Sequence, residues 1–217
     1  MTSLRRQRII RFRQDILAGE RGSHDTLFRL LYGIPAEAQI ELARHMTARY
    51  LPLFRSHRSD LRWVEDVLSD VDAYFSPDGR GFPEPPPDDI VQGDNQFMTA
   101  VFGLDHAWRH AHRGEQGQLT AVCCAILRNV VNAWAANVWR ADEPHIVEAF
   151  EAGDRETARG HGPHVNVASV AVTRREWLIV ADWLDEHGVG DFPDTPAEDE
   201  PDCERWLAWW QDREYLL

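Results

Sequence analysis

Apolar residues recur every three or four positions along most of the chain, while strict alternation of apolar and polar residues is scarce, so the pattern predicts helices almost throughout. A first helix is expected over about 3–18, with Leu4, Ile9, Phe12 and Ile16 turned inward and five arginines turned outward. Gly19 and Gly22 punctuate its end. Ser23 then caps a short helix carrying Leu27, Phe28, Leu30 and Leu31, closed by Gly33. Pro35 suits the first turn of a third helix with Ile40, Leu42, Ala43, Met46 and Tyr50 on its apolar face, and Pro52 is expected to kink or end it. The clearest amphipathic stripe follows a cap at Ser59, with Leu61, Val64, Leu68, Val71 and Phe75 on one side and Glu65, Asp66, Ser69 and Asp72 outside it.

Residues 76–94 (SPDGRGFPEPPPDDIVQGD) read as one long loop rich in Pro, Gly and Asp, and loops of this length in compact domains are often functional. Asp94 or Asn95 is expected to cap the next helix, which runs to about His112. A helix over 118–140 is apolar on most sides and is the expected centre of the core. A shorter helix over about 142–158, a loop with room for a short strand over 159–171, and a helix over 174–187 capped by Thr173 come next. An acidic, Pro-rich turn (190–201) leads to a last helix with Trp206, Leu207, Trp209 and Trp210. The expectation is an all-α fold of eight or nine helices over 1–217, in a single domain because neither half shows a repeat or a linker composition.

Charge sharpens this picture. The net charge is −13, and all 23 basic residues are arginine, which removes every lysine-dependent mechanism and, with abundant Ala and Asp, points to a GC-rich bacterial genome. The charge is polarised: residues 1–62 hold 12 Arg against 6 acids, whereas 182–217 hold 12 acids against 2 Arg. Such a balance argues against nucleic-acid binding and suits a basic protein partner. The Arg-rich first helix is expected to pair with the acidic C-terminal third, which would bring the two ends of the chain together. Three cysteines (Cys123, Cys124, Cys203) without a C-x-x-C pair suit a reducing compartment. No apolar run follows the basic N-terminus, and the apolar stretch 119–138 is interrupted by Arg128, Asn129 and Asn132, so a cytoplasmic protein with neither signal peptide nor membrane span is expected.

Several groupings bear on chemistry. His106 and His110 lie four apart on one helix face, where a metal could be chelated if Glu65 or Asp66 of a neighbouring helix joined them, but neither H-E-x-x-H nor paired E-x-x-H motifs are present. His24-Asp25 resembles the central dipeptide of the HD-type phosphohydrolases, yet no histidine precedes it to complete that family's ligand set. His161 and His164 lie in a Gly-containing loop without a nucleophile motif, and Cys123 and Cys124 sit on the apolar helix as core residues. No cofactor motif occurs, and a non-enzymatic role is the expectation.

The remaining candidate surface is the acidic run Asp191, Asp194, Glu198, Asp199, Glu200, Asp202 and Glu204, followed by Trp209, an interface-type residue. In character, though not by any motif, a small, acidic, helical chain of this kind resembles immunity proteins, which neutralise a bacterial toxin by covering its basic active site. That resemblance implies an inhibitor of a basic partner acting through the acidic run and the 76–94 loop. A non-catalytic scaffold or regulatory subunit, and a metal-dependent bundle enzyme built on His106 and His110, are the alternatives.

Overall fold

The structure, a computed structural model, describes residues 3–19, 24–76, 78–79 and 92–194. Among them are nine α-helices and no strand. They are α1 (Leu4–Ala18), α2 (His24–Leu31), α3 (Ala36–His57), α4 (Trp63–Ser69), α5 (Val71–Phe75), α6 (Gln92–His112), α7 (Gln116–Asp142), α8 (Pro144–Glu151) and α9 (Val167–Glu186), followed by a 3-10 turn (Val189–Asp191). This is the all-α fold that the periodicity predicts.

The centre of the fold is the antiparallel pair α6 and α7. Gly114 makes the turn between them possible, because its φ of 69° lies in the left-handed region that residues with a Cβ avoid. Small residues then let the two helices approach closely. A Cβ on Gly103 would lie 2.7 Å from Ile126 Cγ1, and one on Gly93 would meet the Ala133 carbonyl oxygen at 3.1 Å. Ala100 and Ala107 of α6 are fully buried as well. α7 is buried along most of its length and on nearly all sides, as an apolar core helix must be. It is also the one described helix long and apolar enough to cross a membrane by composition, and most of its apolar window lies inside the fold.

α3 crosses this pair, and Tyr50 and Phe54 pack against Phe97 of α6 with ring centroids 5.1 and 4.6 Å apart. α9 covers α7, where Ser169 Oγ donates to the Ala135 carbonyl at 2.8 Å. One apolar cluster runs from Ile9 through these helices to Val189, and a small second cluster (Trp139, Ile146, Val147) lies beneath α8.

α1 lies on α9 and the 3-10 turn. Phe12 meets Trp177 edge-on at 6.1 Å, and Arg13 pairs with Asp182 at 2.6 Å and Asp185 at 3.3 Å. Asp194 accepts from the backbone N–H groups of Leu4 at 2.9 Å and Arg5 at 2.8 Å, so a residue distant in sequence satisfies the open first turn of α1. The expected pairing of the basic helix with the acidic C-terminal third thus holds for residues 182–194. The face assignment of α1 needs two corrections: Leu4 is 44% exposed, and Arg5 is buried, with Nη2 donating to the Pro193 carbonyl at 3.0 Å. Burial pushes the Arg5 guanidinium down from its usual range, although the Asp194 carboxylate opposes that shift.

Other boundaries also differ from expectation. Pro52 does not end α3, which continues through it to His57. The stripe 59–75 is two helices, broken at Asp70, which takes an extended backbone and caps α5 by accepting from Ala73 N–H at 2.9 Å. Ser59 caps neither. α9 begins seven residues before the expected start: Asn166 is its cap, and Thr173 lies inside it with Oγ1 donating to the Ser169 carbonyl. α8 is shorter than 142–158, and 159–165 are turns without a strand. The cap at Ser23, most of the 76–94 loop and the Trp-rich last helix lie outside the described residues.

Candidate functional site

Two histidines of α6 meet partners in or just after their own helix. His110 Nδ1 lies 2.6 Å from Glu115, and His112 packs on Trp108 with its Nδ1 against that residue's carbonyl oxygen at 2.9 Å. Glu65 of α4 pairs with Arg55 at 3.1 Å. Among the described residues no group of three or more His, Cys, Asp and Glu side chains is placed to hold a metal ion, so His106 and His110 stand as two residues one turn apart on a helix. Asp25 pairs with Arg29 one turn on, as a first-turn acid does. Burial pushes the Cys123 thiol far up and leaves it protonated, in keeping with a core role.

Of the acidic run, Asp194 caps α1 and Asp191 lies 3.9 Å from Arg6, so both are engaged within the chain. Glu198, Asp199, Glu200, Asp202, Glu204 and Trp209 lie outside the described residues.

A second acidic surface stands at the corner between α7 and α8, which no motif in the sequence marks. Residues 142–156 hold six carboxylates (Asp142, Glu143, Glu148, Glu151, Asp154, Glu156) and one arginine, Arg155. Phe150 stands among them, 53% exposed, its ring edge-on to Trp139 at 6.1 Å. The turn before α9 is tied to the same corner. Asn166 Nδ2 donates to Asp142 at 2.6 Å and Glu143 at 2.8 Å, and His161 Nδ1 lies 3.0 Å from Glu143. Val165 and Val167, on either side of Asn166, are 52% and 84% exposed. The corner therefore combines exposed apolar side chains with a surround of carboxylates.

The hydrogen bonds of Asn166 and His161 hold the Glu143 carboxyl below the usual glutamate range. A carboxyl with a depressed folded value stabilises the corner above the ordinary range and loses that contribution as pH falls through the folded value. Asn166→Ala is expected to move Glu143 back up toward ordinary values in a side-chain NMR titration. It should also cost about 1 kcal/mol through loss of the α9 cap, measured by urea unfolding.

The third feature is a polar cluster where α3, α6 and α7 meet. Asp94, in the first turn of α6, is 1% exposed. It is not the expected cap but a buried acceptor: Tyr50 Oη donates to Oδ1 at 3.3 Å, and His57 Nδ1 lies 3.2 Å from Oδ2. A carboxylate only accepts, so His57 Nδ1 carries the shared hydrogen. Asn137 of α7 stands beside the Tyr50 hydroxyl. Burial, reinforced by the Asp94 charge, pushes the Tyr50 phenol far up, which keeps it a donor. The ring of His57 stands at the edge of an open depression of about 440 Å³ lined by His57, Asn137, Arg140 and Ala141. Tyr50 and His57 are seven apart on α3 and share a face; that spacing, opposite an aspartate in an apolar first turn, is the signal the sequence offers.

Comparison with protein-family models, with curated proteins and with solved structures finds no match to this chain.

Proposed function

We propose that this chain is an acidic helical binding module that covers a basic protein partner, in the manner of an immunity protein neutralising a bacterial toxin. The observation that carries the reading is the α7–α8 corner, where Phe150 stands exposed among six carboxylates and one arginine. An exposed aromatic that fills a partner's pocket supplies affinity, and a rim of like charge steers a basic partner into register. The net charge of −13 adds long-range attraction for such a partner. The acids from Glu198 to Glu204, with Trp209, belong to the same reading as a second contact region.

The test is affinity capture on the immobilised full chain from its native host at low salt, identification of the retained protein, and kinetics with that protein once purified. The association rate is expected to fall roughly tenfold or more between low and high salt. Phe150→Ala should weaken the complex by roughly thirtyfold, the loss of a typical central aromatic. A partner that is not basic, or whose association ignores salt and Phe150→Ala alike, would overturn the reading.

A further inference from the structure

The depression at the α3–α6–α7 corner is lined by a guanidinium and an imidazole in a chain whose net charge is −13. We propose that it is a binding site for a phosphate group, taken up as inorganic phosphate or as a small phosphomonoester.

Of the four described residues that line it, His57, Asn137 and Arg140 carry hydrogen-bonding side chains, two of them basic. Arg140 makes no ion pair among the described residues, whereas Arg13, Arg29, Arg44, Arg49, Arg55 and Arg109 each face a carboxylate. A half-buried guanidinium beside a cavity, with no carboxylate of the described residues paired to it, is open to an anion there. Its planar fork matches two oxygens of a phosphate.

His57 is built into the wall rather than hung over it. Asp94 fixes Nδ1, which turns Nε2, on the opposite edge of the ring, away from that buried carboxylate. Asp94 is covered by Tyr50 and His57 and presents almost no surface of its own to a ligand. Asn137 of α7 brings an amide to the same depression, able to donate and to accept.

The choice of phosphate rests on Nε2. A neutral imidazole with its hydrogen on Nδ1 offers a lone pair there, and a protonated one offers N–H. A carboxylate matches only the second form. A phosphate monoanion donates its own hydroxyl to the first, and the dianion accepts from the second, so phosphate fits the site in either state. Arg140 repels a metal cation from the same space. The volume of about 440 Å³ exceeds what one phosphate needs and lies within the roughly 300–1,000 Å³ of small-molecule sites, so an organic group on the ester has room.

The experiment titrates the full-length protein at constant ionic strength with inorganic phosphate and, separately, with phenyl phosphate. The His57 ring nitrogens are followed by NMR and affinity by calorimetry. Saturable binding that moves the Nε2 resonance of His57 is expected, weakened roughly ten- to hundredfold by Arg140→Gln. Tighter binding of phenyl phosphate would identify a monoester as the ligand, and equal binding would identify phosphate itself. Absence of saturation with either probe, or an Arg140→Gln variant with native circular dichroism that binds as tightly as the unsubstituted chain, overturns the proposal. Should the variant fail to fold, the ring titration of the unsubstituted chain decides alone.

Discussion

Phe97→Ala is expected to destabilise the fold by about 3–5 kcal/mol, the cost of deleting a fully enclosed aromatic and leaving its space unfilled. Phe97 has no exposed surface, and its ring lies between Tyr50 and Phe54, so its loss empties the contact that sets α3 across α6. It also sits one turn from Asp94, and loosening that turn should release the bonds of Asp94 to Tyr50 and His57. Against a typical total of about 5–15 kcal/mol, the variant stands near the edge of folding. Urea unfolding measures the loss, with Phe150→Ala as the reference. Phe150 is 53% exposed, and its removal should cost less than about 1 kcal/mol. Equal losses at the two positions would contradict the assignment of Phe97 to the core.

Gly103→Leu should cost about 3 kcal/mol or more, for the opposite reason. The first carbon of any side chain at this position would already lie 2.7 Å from Ile126 Cγ1, and leucine adds three more where α6 and α7 have no gap. The better helix propensity of leucine returns only about 1 kcal/mol of this. Truncation of the opposing residue provides the check. In the double variant Gly103→Leu/Ile126→Ala, the added side chain enters the space that Ile126 vacates. The combined loss should therefore fall short of the sum of the single losses by more than about 1 kcal/mol. Simple additivity would mean that the two side chains do not compete for the same volume.

Much of this architecture is written in local periodicity. The stripe of α1, the small and apolar faces of α6 and the nearly all-apolar α7 each announce a helix because burial demands that spacing. The pattern conceals any break that leaves the period undisturbed. Leu61, Val64, Leu68, Val71 and Phe75 keep helical phase across Asp70, so the turn there is invisible to the stripe and is given away only by Asp70 itself, a residue fit to cap α5. The start of α9 is hidden likewise, because Asn166 stands in a segment whose glycines and proline suggest a loop. The candidate sites are harder still to read. Asp94 and His57 lie 37 positions apart on different helices, and their meeting depends on the crossing of α3 over α6, which no local pattern encodes. Proximity in sequence favours His106 and His110, which share a helix face but form no group of three metal-type ligands among the described residues, over a pair that only the tertiary fold brings together.

The clasp of Asp194 on α1 has a consequence for the order in which the molecule is made. Its two hydrogen bonds join positions 190 and 189 residues apart, and the edge-on contact of Phe12 with Trp177 spans nearly as far. During synthesis α1 therefore leaves the ribosome long before α9 and the turn beyond it exist, and its basic, half-apolar surface must wait for most of the chain to be translated. Through that interval the helix is a nascent segment without its resting place, open to chaperones and to any acidic surface nearby. A chain truncated before Asp194 lacks the carboxylate that accepts from Leu4 and Arg5, so the first turn of α1 is fully held only once that residue has been added.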